Sequence, residues 1–263
     1  MRIVTWNINS LRLRLPTLGR VVKVLKPDIV CVQETKVPDD AFPTDAVCKL
    51  GFDHILYNGM KAYNGVAIMS RVPITKMKRR SWCDKEDCRH IAAKLPDGTE
   101  LHNFYVPAGG DIPDPEKNDK FAHKLAFIEE MRIWFSKKRV AKRVLVGDLN
   151  IAPLETDVWS HKQLLNVVSH TPVEVQGLKK VMSAHKWVDA VRKFIPPEEQ
   201  LYSWWSYRNR TWPGSDRGRR LDHIWVTPPL TGKLQSASVL LDARGWEKPS
   251  DHVPVSVDIN LSN

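Results

Sequence analysis

Val144-Leu145-Val146-Gly147-Asp148-Leu149-Asn150 is an apolar run that ends in an acid and an amide. A short, unbroken hydrophobic stretch with two β-branched valines reads as a buried strand. Asp148 and Asn150 stand where that pattern predicts further apolar residues, and in an extended segment residues two apart share one face. The device recurs. Ile3-Val4-Thr5-Trp6 ends in Asn7, Ile29-Val30-Cys31-Val32 ends in Gln33-Glu34, and Leu101-His102-Asn103-Phe104 ends in Tyr105-Val106-Pro107. Asp251-His252 precedes the last strand-like run. Folds display catalytic groups at strand ends, so these residues are candidates for one shared pocket. Each has a plainer reading when taken alone. A single Asp after a strand is more often a turn or cap residue, Glu34 is more often solvated, and Asp251 after Ser250 is an ordinary turn pair. Trp6 and Tyr105 would otherwise be core aromatics. Recurrence at successive strand ends tips the reading toward a site.

Strand candidates extend outward from this run to 3–8, 29–33, 65–70, 91–95, 101–106, 144–148, 222–226 and 253–259. Helical periodicity marks 16–25 and, at greatest length, 119–138, with apolar residues at Phe121, Leu125, Ile128, Met131, Ile133 and Phe135. Shorter helices are expected at 175–185 and 187–194. The elements intermingle without a strict strand–helix–strand rhythm. No repeat, low-complexity segment or linker divides the 263 residues, so one α/β domain spanning 1–263 is expected. The polar, aromatic and basic stretch 202–220 reads as a long loop, and long loops in compact domains are usually functional.

Lys plus Arg total 40 against 30 acids, a formal charge of +10. Such an excess favours a polyanionic partner, because neutralising phosphates releases condensed counterions. Charge alone leaves DNA, RNA and a membrane surface open. Hydrophobic residues make up 42% and charged residues 27%, a balance that supplies a buried core and excludes a disordered chain. No apolar run approaches the ~18 residues that cross a membrane. The chain opens directly in strand-like sequence without a signal-peptide pattern, and a soluble cytoplasmic protein is the expectation. Four cysteines in a chain of this size make no disulfide framework. Cys31 and Cys48 are expected to be buried thiols. Cys83, Cys88 and His90 have the look of half a zinc site, but no second ligand pair lies near them and a plain loop is favoured.

Trp6-Asn7-Ile8-Asn9-Ser10-Leu11-Arg12, Gln33-Glu34-Thr35-Lys36, Gly147-Asp148-Leu149-Asn150-Ile151, Arg220-Leu221-Asp222 and Ser250-Asp251-His252-Val253-Pro254 stand in that order. Together they resemble the successive signatures of the exonuclease III family, within the endonuclease/exonuclease/phosphatase superfamily. Gln-Glu-Thr-Lys and Ser-Asp-His are each weak alone, but the ordered set covers residues 6–254 and is specific. The resemblance implies a four-layered α/β sandwich of the DNase I-like kind. Two packed mixed β-sheets would be flanked by helices, with the active site at one end. It also implies roles. Glu34 would be the principal metal ligand, with Asn7 and Asp251 supporting the metal directly or through water. Oxygen ligands suit a hard cation, Mg²⁺ with Mn²⁺ as the alternative. Asp148 would orient or deprotonate the attacking water, and Asn150 would hold the scissile phosphate. His252 would donate a hydrogen bond or proton to the phosphate, with Asp222 fixing its tautomer. Tyr105 would contact the phosphate or stabilise the leaving oxygen. In-line attack on a phosphodiester builds charge on oxygens while a water loses a proton, and a cation, a carboxylate and a donor meet those demands. Asp222-His223 and Asp251-His252 are both Asp-His pairs, yet on a strand Asp222 and His223 point to opposite faces. His252 is therefore the catalytic candidate and His223 a structural one.

The superfamily also holds inositol-phosphate phosphatases, sphingomyelinases and RNA deadenylases, so fold alone does not settle function. Lys36 beside Glu34, and Arg12 and Arg14 after the first block, favour DNA. So does Ser203-Trp204-Trp205-Ser206-Tyr207-Arg208-Asn209-Arg210, a loop that interleaves aromatics with arginines. The plainer reading of that loop is a hydrophobic staple flanked by solvated charge. In the family the matching segment helps form a pocket for a flipped abasic sugar, where Trp204 is the nearest match. Arg219 stands where relatives often carry an apolar pocket residue, beside Leu221. That leaves the balance of abasic-site incision, 3′-exonuclease and 3′-phosphatase activities open. Segment 159–172 takes no assignment from sequence. The expected partner is double-stranded DNA with abasic sites or 3′ ends, in base excision repair, with no membrane and a monomeric state. One rival is a phosphatase or phosphodiesterase acting on an inositol or lipid phosphate, which wants an amphipathic membrane segment that is not evident. The other is a DNA-binding module with a decayed site, which the intact Glu34, Asp148, Asn150, Asp222 and His252 oppose.

Overall fold

A computed structural model describes residues 1–77, 80–208 and 212–261. The chain runs β1 (Arg2–Asn7), α1 (Leu15–Leu25), β2 (Ile29–Gln33), α2 (Thr44–Cys48), β3 (His54–Asn58), β4 (Val66–Ser70), β5 (Thr75–Lys76), β6 (His90–Lys94) and β7 (Glu100–Tyr105). It continues through α3 (Asp119–Ser136), β8 (Arg143–Asp148), α4 (His161–Leu164), α5 (Pro172–Ala184), β9 (Val188–Asp189), β10 (Asp222–Val226), α6 (Pro228–Thr231), β11 (Leu234–Val239) and β12 (Val255–Ile259). Among the described residues these strands make two six-stranded sheets, ordered β11-β12-β1-β2-β4-β3 and β5-β6-β7-β8-β10-β9. Both sheets are mixed, with β1 parallel to β2 and β7 parallel to β8 inside otherwise antiparallel ladders.

Alternation along each strand decides which layer a side chain joins. Ile3, Ile29, Cys31, Val144, Val146, Ile224 and Val226 point between the sheets and form a core that both share. Val4, Trp6, Val30 and Val32 point the other way and pack on Leu18, Val21 and Leu25 of α1. Phe104, Leu145 and Trp225 pack outward against Phe127, Met131 and Phe135 of α3 and Leu178 and Val181 of α5. The layers are helix, sheet, sheet, helix: the four-layered sandwich that the motifs imply.

Toward one end, the inward faces turn polar. Gln33 Nε2 donates to Thr5 Oγ1 at 3.0 Å and to Asn103 Oδ1 at 2.7 Å. Asn103 Nδ2 donates to the carbonyls of Val32 and Ala67, each at 3.0 Å. This buried amide layer caps the apolar core with its donors paired, while Gln33 Oε1 stays without a partner. One step further along the same faces come Asn7, Tyr105 and Asp148, and the register sets Tyr105 and Asp222 on either side of Asp148. The approach of β7 to β8 needs Gly147, whose φ is +143°, since a side chain there would strike the Phe104 carbonyl.

Three expectations are corrected. Residues 187–194 are not a helix: Val188 and Asp189 pair with β10, and Asp189 Oδ1 then accepts the backbone N–H groups of Val191 and Arg192 at 3.1 Å, which makes a turn. Helix α5 begins earlier than residue 175, because Thr171 and Glu174 form a capping box and Pro172 fits the first turn. Cys48 is exposed, since Val47 takes the inward position of α2, whereas Cys31 is buried. Cys83 and Cys88 are half-buried, are not disulfide-bonded and join no group of candidate metal ligands among the described residues.

Behind the site, Asp157 Oδ1 pairs with Arg192 Nη2 at 2.6 Å and Arg220 Nη1 at 3.5 Å, all three side chains buried. Asp157→Ala leaves these guanidiniums short of their counter-charge and is expected to cost about 3–5 kcal/mol. Urea unfolding measures it as a lower midpoint at unchanged slope. Arg220 Nη2 also pairs with Asp189 Oδ2, and a loss below about 1 kcal/mol would show that Asp189 alone satisfies Arg220.

Candidate active site

Asn7, Glu34, Tyr105, Asp148, Asn150, Asp222, Asp251 and His252 meet at the polar end of the inter-sheet face, around a cleft of about 530 Å³. Two halves of different electrostatic character share it.

Glu34 centres the first half. It follows β2 with φ +53°, and its Oε1 accepts Tyr105 Oη at 2.7 Å and Asn7 Nδ2 at 3.0 Å. Glu34 Oε2 lies 2.9 Å from Lys36 Nζ, which donates to Asn9 Oδ1 at 2.6 Å. Asn9 Nδ2 donates to Asp251 Oδ1 at 3.0 Å, and Trp204 Nε1 to Asp251 Oδ2 at 3.1 Å. Burial pushes the Glu34 pKa up, but Asn7, Lys36 and Tyr105 outweigh it and hold the carboxyl below its ordinary value. Asp251 behaves alike, with the His252 charge, Asn9 and Trp204 overriding burial. The ionised carboxylates of Glu34 and Asp251 and the amide oxygen of Asn9 thus surround a space whose resident cation is the Lys36 ammonium, while Asn7 turns its Nδ2 to Glu34 and its Oδ1 to Asn9 N. An all-oxygen donor set that already holds a positive charge fits a hard metal ion completed by waters. Glu34 would bind it, with Asn7 and Asp251 in support.

His252 centres the second half. Ligand atoms of Asp148, Asp222 and His252 lie within 4.8 Å of one another. His252 Nδ1 is 2.8 Å from Asp222 Oδ2, and its Nε2 is 3.7 Å from Asp148 Oδ2. Ser203 Oγ donates to Asp222 Oδ2 at 2.6 Å and accepts the N–H groups of Leu221 and Asp222 at 3.0 Å. Asp148 Oδ2 accepts Asn7 Nδ2 at 2.9 Å and Asn150 Nδ2 at 3.2 Å. Burial lifts the Asp148 carboxyl to about 7, with Asp222 and Glu34 adding to the rise against the pull of His252. Burial works against a charged His252, yet the carboxylates of Asp222 and Asp148 raise it to about 10. The imidazolium proton is the cation of this trio, and His252 Nδ1 is engaged by Asp222. A metal therefore fits the Glu34 half better. His223 faces away, buried, with Nε2 at 2.8 Å from the Ile151 carbonyl.

The remaining candidates border the cleft. The Trp204 backbone pairs with Arg219, whose guanidinium carbon lies 5.2 Å over the Trp204 ring. Arg219 Nη1 donates to Val168 O at 2.9 Å and Ser169 Oγ at 2.8 Å, so the unassigned segment 159–172 supplies the facing wall. Leu221 is buried beside it with Val158 and Leu164. Arg208 is exposed at the rim, and Lys36 turns inward to Glu34. Tyr202 and Trp205 are core residues packed on Ala243 and Val253, so the plainer reading of the aromatic loop holds for that part. Asn209 and Arg210 lie outside the described residues.

The endonuclease/exonuclease/phosphatase family matches residues 4–252. The chain belongs to that family. Exodeoxyribonuclease III of Haemophilus influenzae is 31% identical over 97% of this chain and 98% of its own. An AP endonuclease from Archaeoglobus fulgidus superposes with a TM-score of 0.90 at 34% identity, covering 99% of each chain. A 3′ phosphatase from Neisseria, bound to product DNA hairpin, superposes at 0.86 and 32% identity, again over 99% of each. Within this endonuclease/exonuclease/phosphatase fold, several site residues escape sequence reasoning. Trp6 Nε1 holds the His252 carbonyl at 3.0 Å, and Ser250 Oγ holds that of Asn7 at 2.7 Å. Asn9 lies past the end of β1 in a bend with φ +45°, and the fold rather than strand spacing brings it to Lys36 and Asp251. Ser203 carries no signal, because its partner Asp222 is distant in sequence.

Proposed function

We propose that this chain is a Mg²⁺-dependent DNA repair phosphodiesterase that incises double-stranded DNA at abasic sites and trims 3′ ends, acting as a monomer. The observation that carries the reading is Asn7 Nδ2, which bridges Glu34 and Asp148 and so ties a hard-cation site to a proton-handling site. Bound beside Glu34, Mg²⁺ would supply Lewis-acid stabilisation of charge on the phosphate. Asp148 takes the proton of the attacking water, and a carboxyl near 7 is matched to that task at neutral pH. Asn150 and the His252 imidazolium donate to phosphate oxygens. Tyr105 stays protonated, since burial and the charges of Glu34 and Asp148 raise its pKa well above the ordinary value, and its hydroxyl serves the leaving oxygen. The names of the relatives support DNA over a lipid or inositol phosphate. Cleavage of an abasic-site duplex and a recessed 3′ end, each abolished by EDTA, is the expected result. No cleavage of either in Mg²⁺ would sink the proposal.

Affinity should follow the +10 charge. Duplex binding by a catalytically dead variant is expected to weaken at least ~10²-fold between low and physiological salt. A flat response would revive the small-molecule phosphatase reading.

Arg219 and Trp204 set the recess. Arg219→Leu removes a guanidinium that spans from Trp204 to Val168, and is expected to raise abasic-site incision relative to 3′-end trimming roughly 10-fold. Trp204→Ala should lower the same ratio by about 1–3 kcal/mol, the worth of one stacking partner. Trp204→Phe, which keeps an aromatic face but loses the hydrogen bond to Asp251 along with part of the stacking surface, brackets the two effects. Unchanged ratios in all three variants would leave the loop a general DNA-binding surface.

A further inference from the structure

Lys124 and Glu174 form an ion pair with both side chains fully buried, and the reaction outlined above uses neither. Such a pair is a weak source of stability, because desolvating two charges offsets their attraction and apolar residues of similar volume often serve as well. Its contacts suggest another reason for it. Lys124 rises from the start of α3 and passes beneath Gly109, where a Cβ would lie 2.9 Å from Lys124 Cδ. Its ammonium donates to Asn150 O at 2.8 Å and Ala108 O at 3.2 Å. Ala108 follows β7 and Asn150 follows β8, and both line the cleft. Asn150 has φ +53°, a left-handed conformation that asparagine visits more readily than other side chains but that still needs holding among its neighbours. Holding its carbonyl fixes that turn, and with it the amide that faces Asp148.

Glu174 acts on the facing wall. Both its oxygens accept Ser169 N at 2.9 Å, and Oε2 also accepts Thr171 N at 3.1 Å and Thr171 Oγ1 at 2.6 Å. Ser169, held with φ +89°, then presents Oγ to Arg219 Nη1. One ion pair thus joins the turns after β7 and β8, helix α3 and the wall that grips Arg219.

We infer that Lys124 and Glu174 are positioning residues for the reaction, locking the Asn150 turn and the Ser169 wall into one unit that sets turnover and the shape of the recess. The inference rests on the phosphodiesterase reading. The test is Lys124→Met combined with Glu174→Leu, assayed on an abasic-site duplex and a recessed 3′ end. Removing both charges leaves neither charge unpaired, but the N–H groups of Ser169 and Thr171 and the carbonyls of Ala108 and Asn150 lose their buried partners, so the melting midpoint should fall while an unchanged near-UV circular dichroism shows that the fold persists. The kcat on both substrates is expected to fall at least ~10-fold, because small misplacements remote from the chemistry cost up to about 10²-fold. A merely structural pair predicts that a folded double variant keeps kcat and KM; that result overturns the inference. Where that double variant does not fold, Lys124→Met combined with Glu174→Gln decides, since the amide keeps the volume and one acceptor oxygen for Ser169 and Thr171 and no buried charge is left alone. Its kcat on the abasic duplex is expected to fall at least ~3-fold, because the carbonyls of Asn150 and Ala108 are released while the Ser169 wall is kept. Unchanged KM and kcat in that variant overturn the inference too. Inactivity of the unaltered protein on both substrates would instead strike the phosphodiesterase reading, and this inference with it.

Discussion

Asp148→Asn is expected to lower turnover on an abasic-site duplex at least ~10²-fold while DNA affinity changes only severalfold. The side chain accepts from Asn7 and Asn150 on Oδ2 and from Asn150 N on Oδ1, so it is held in one orientation toward the space beside His252. Asparagine keeps the shape but cannot take a proton, and its amide would face the two donors that now converge on Oδ2. The pH profile gives a second readout. Activity should rise as pH climbs through about 7, where Asp148 loses its proton, and fall as His252 loses its own toward about 10. The cluster titrates jointly, so these are limbs of one bell-shaped curve. Asp148→Asn should abolish the acid limb, and an unaltered limb would assign it elsewhere. His252→Ala should cost a similar ~10² in turnover. His223→Ala should instead lower stability, because it strips a buried ring from between the Ile151 carbonyl and Trp225. A folded His223→Ala with the greater catalytic defect would reverse the assignment of the two histidines.

Both the legible and the illegible parts of this chain have physical reasons. Strands covered on both faces, such as β2 and β8, read as unbroken apolar runs, so the acids and amides that end them stand out. Asn7, Glu34, Asp148 and Asn150 all belong to that class, whereas Tyr105 ends a strand that carries Glu100, His102 and Asn103. Strand β11 is an edge with Gln235, Ser236 and Ser238 exposed, and it writes almost no hydrophobic pattern. The two-residue strands β5 and β9 are too short for any period to register, and around β9 the spacing of Trp187, Ala190 and Val191 mimics a helix. Site residues that act by long-range pairing leave no local trace. Lys124 reads as one more polar position on a helix, and Glu174 falls just before the helix expected at 175–185, yet the fold sets them against each other. Lys36 shows the reverse case. Its place in the motif beside Glu34 is plain, but the left-handed turn through Glu34 and Lys36 folds its ammonium back onto the carboxylate rather than outward.

Glu34→Gln carries the other large expected effect. The substitution preserves volume and an oxygen for Tyr105 and Asn7, so the fold and the amide layer beneath it should persist. What it removes is the negative charge that, with Asp251, makes this half of the cleft a cation site. Loss of a Lewis acid worth several kcal/mol corresponds to a fall in kcat of ~10³ or more at low Mg²⁺. Lys36 sharpens the test. Its ammonium neutralises Glu34 at 2.9 Å, so a metal ion must displace it or share the carboxylate with it. Lys36→Met should then strengthen Mg²⁺ binding, read directly by calorimetry without DNA, even where the loss of a cation weakens the duplex complex. Glu34→Gln should abolish that calorimetric signal. The two variants therefore move metal affinity in opposite directions while both reduce interactions with the substrate. Near-normal turnover of Glu34→Gln at low Mg²⁺, or equal metal affinity in all three proteins, would remove Glu34 from the metal site and return the Asp148, Asp222 and His252 trio to consideration.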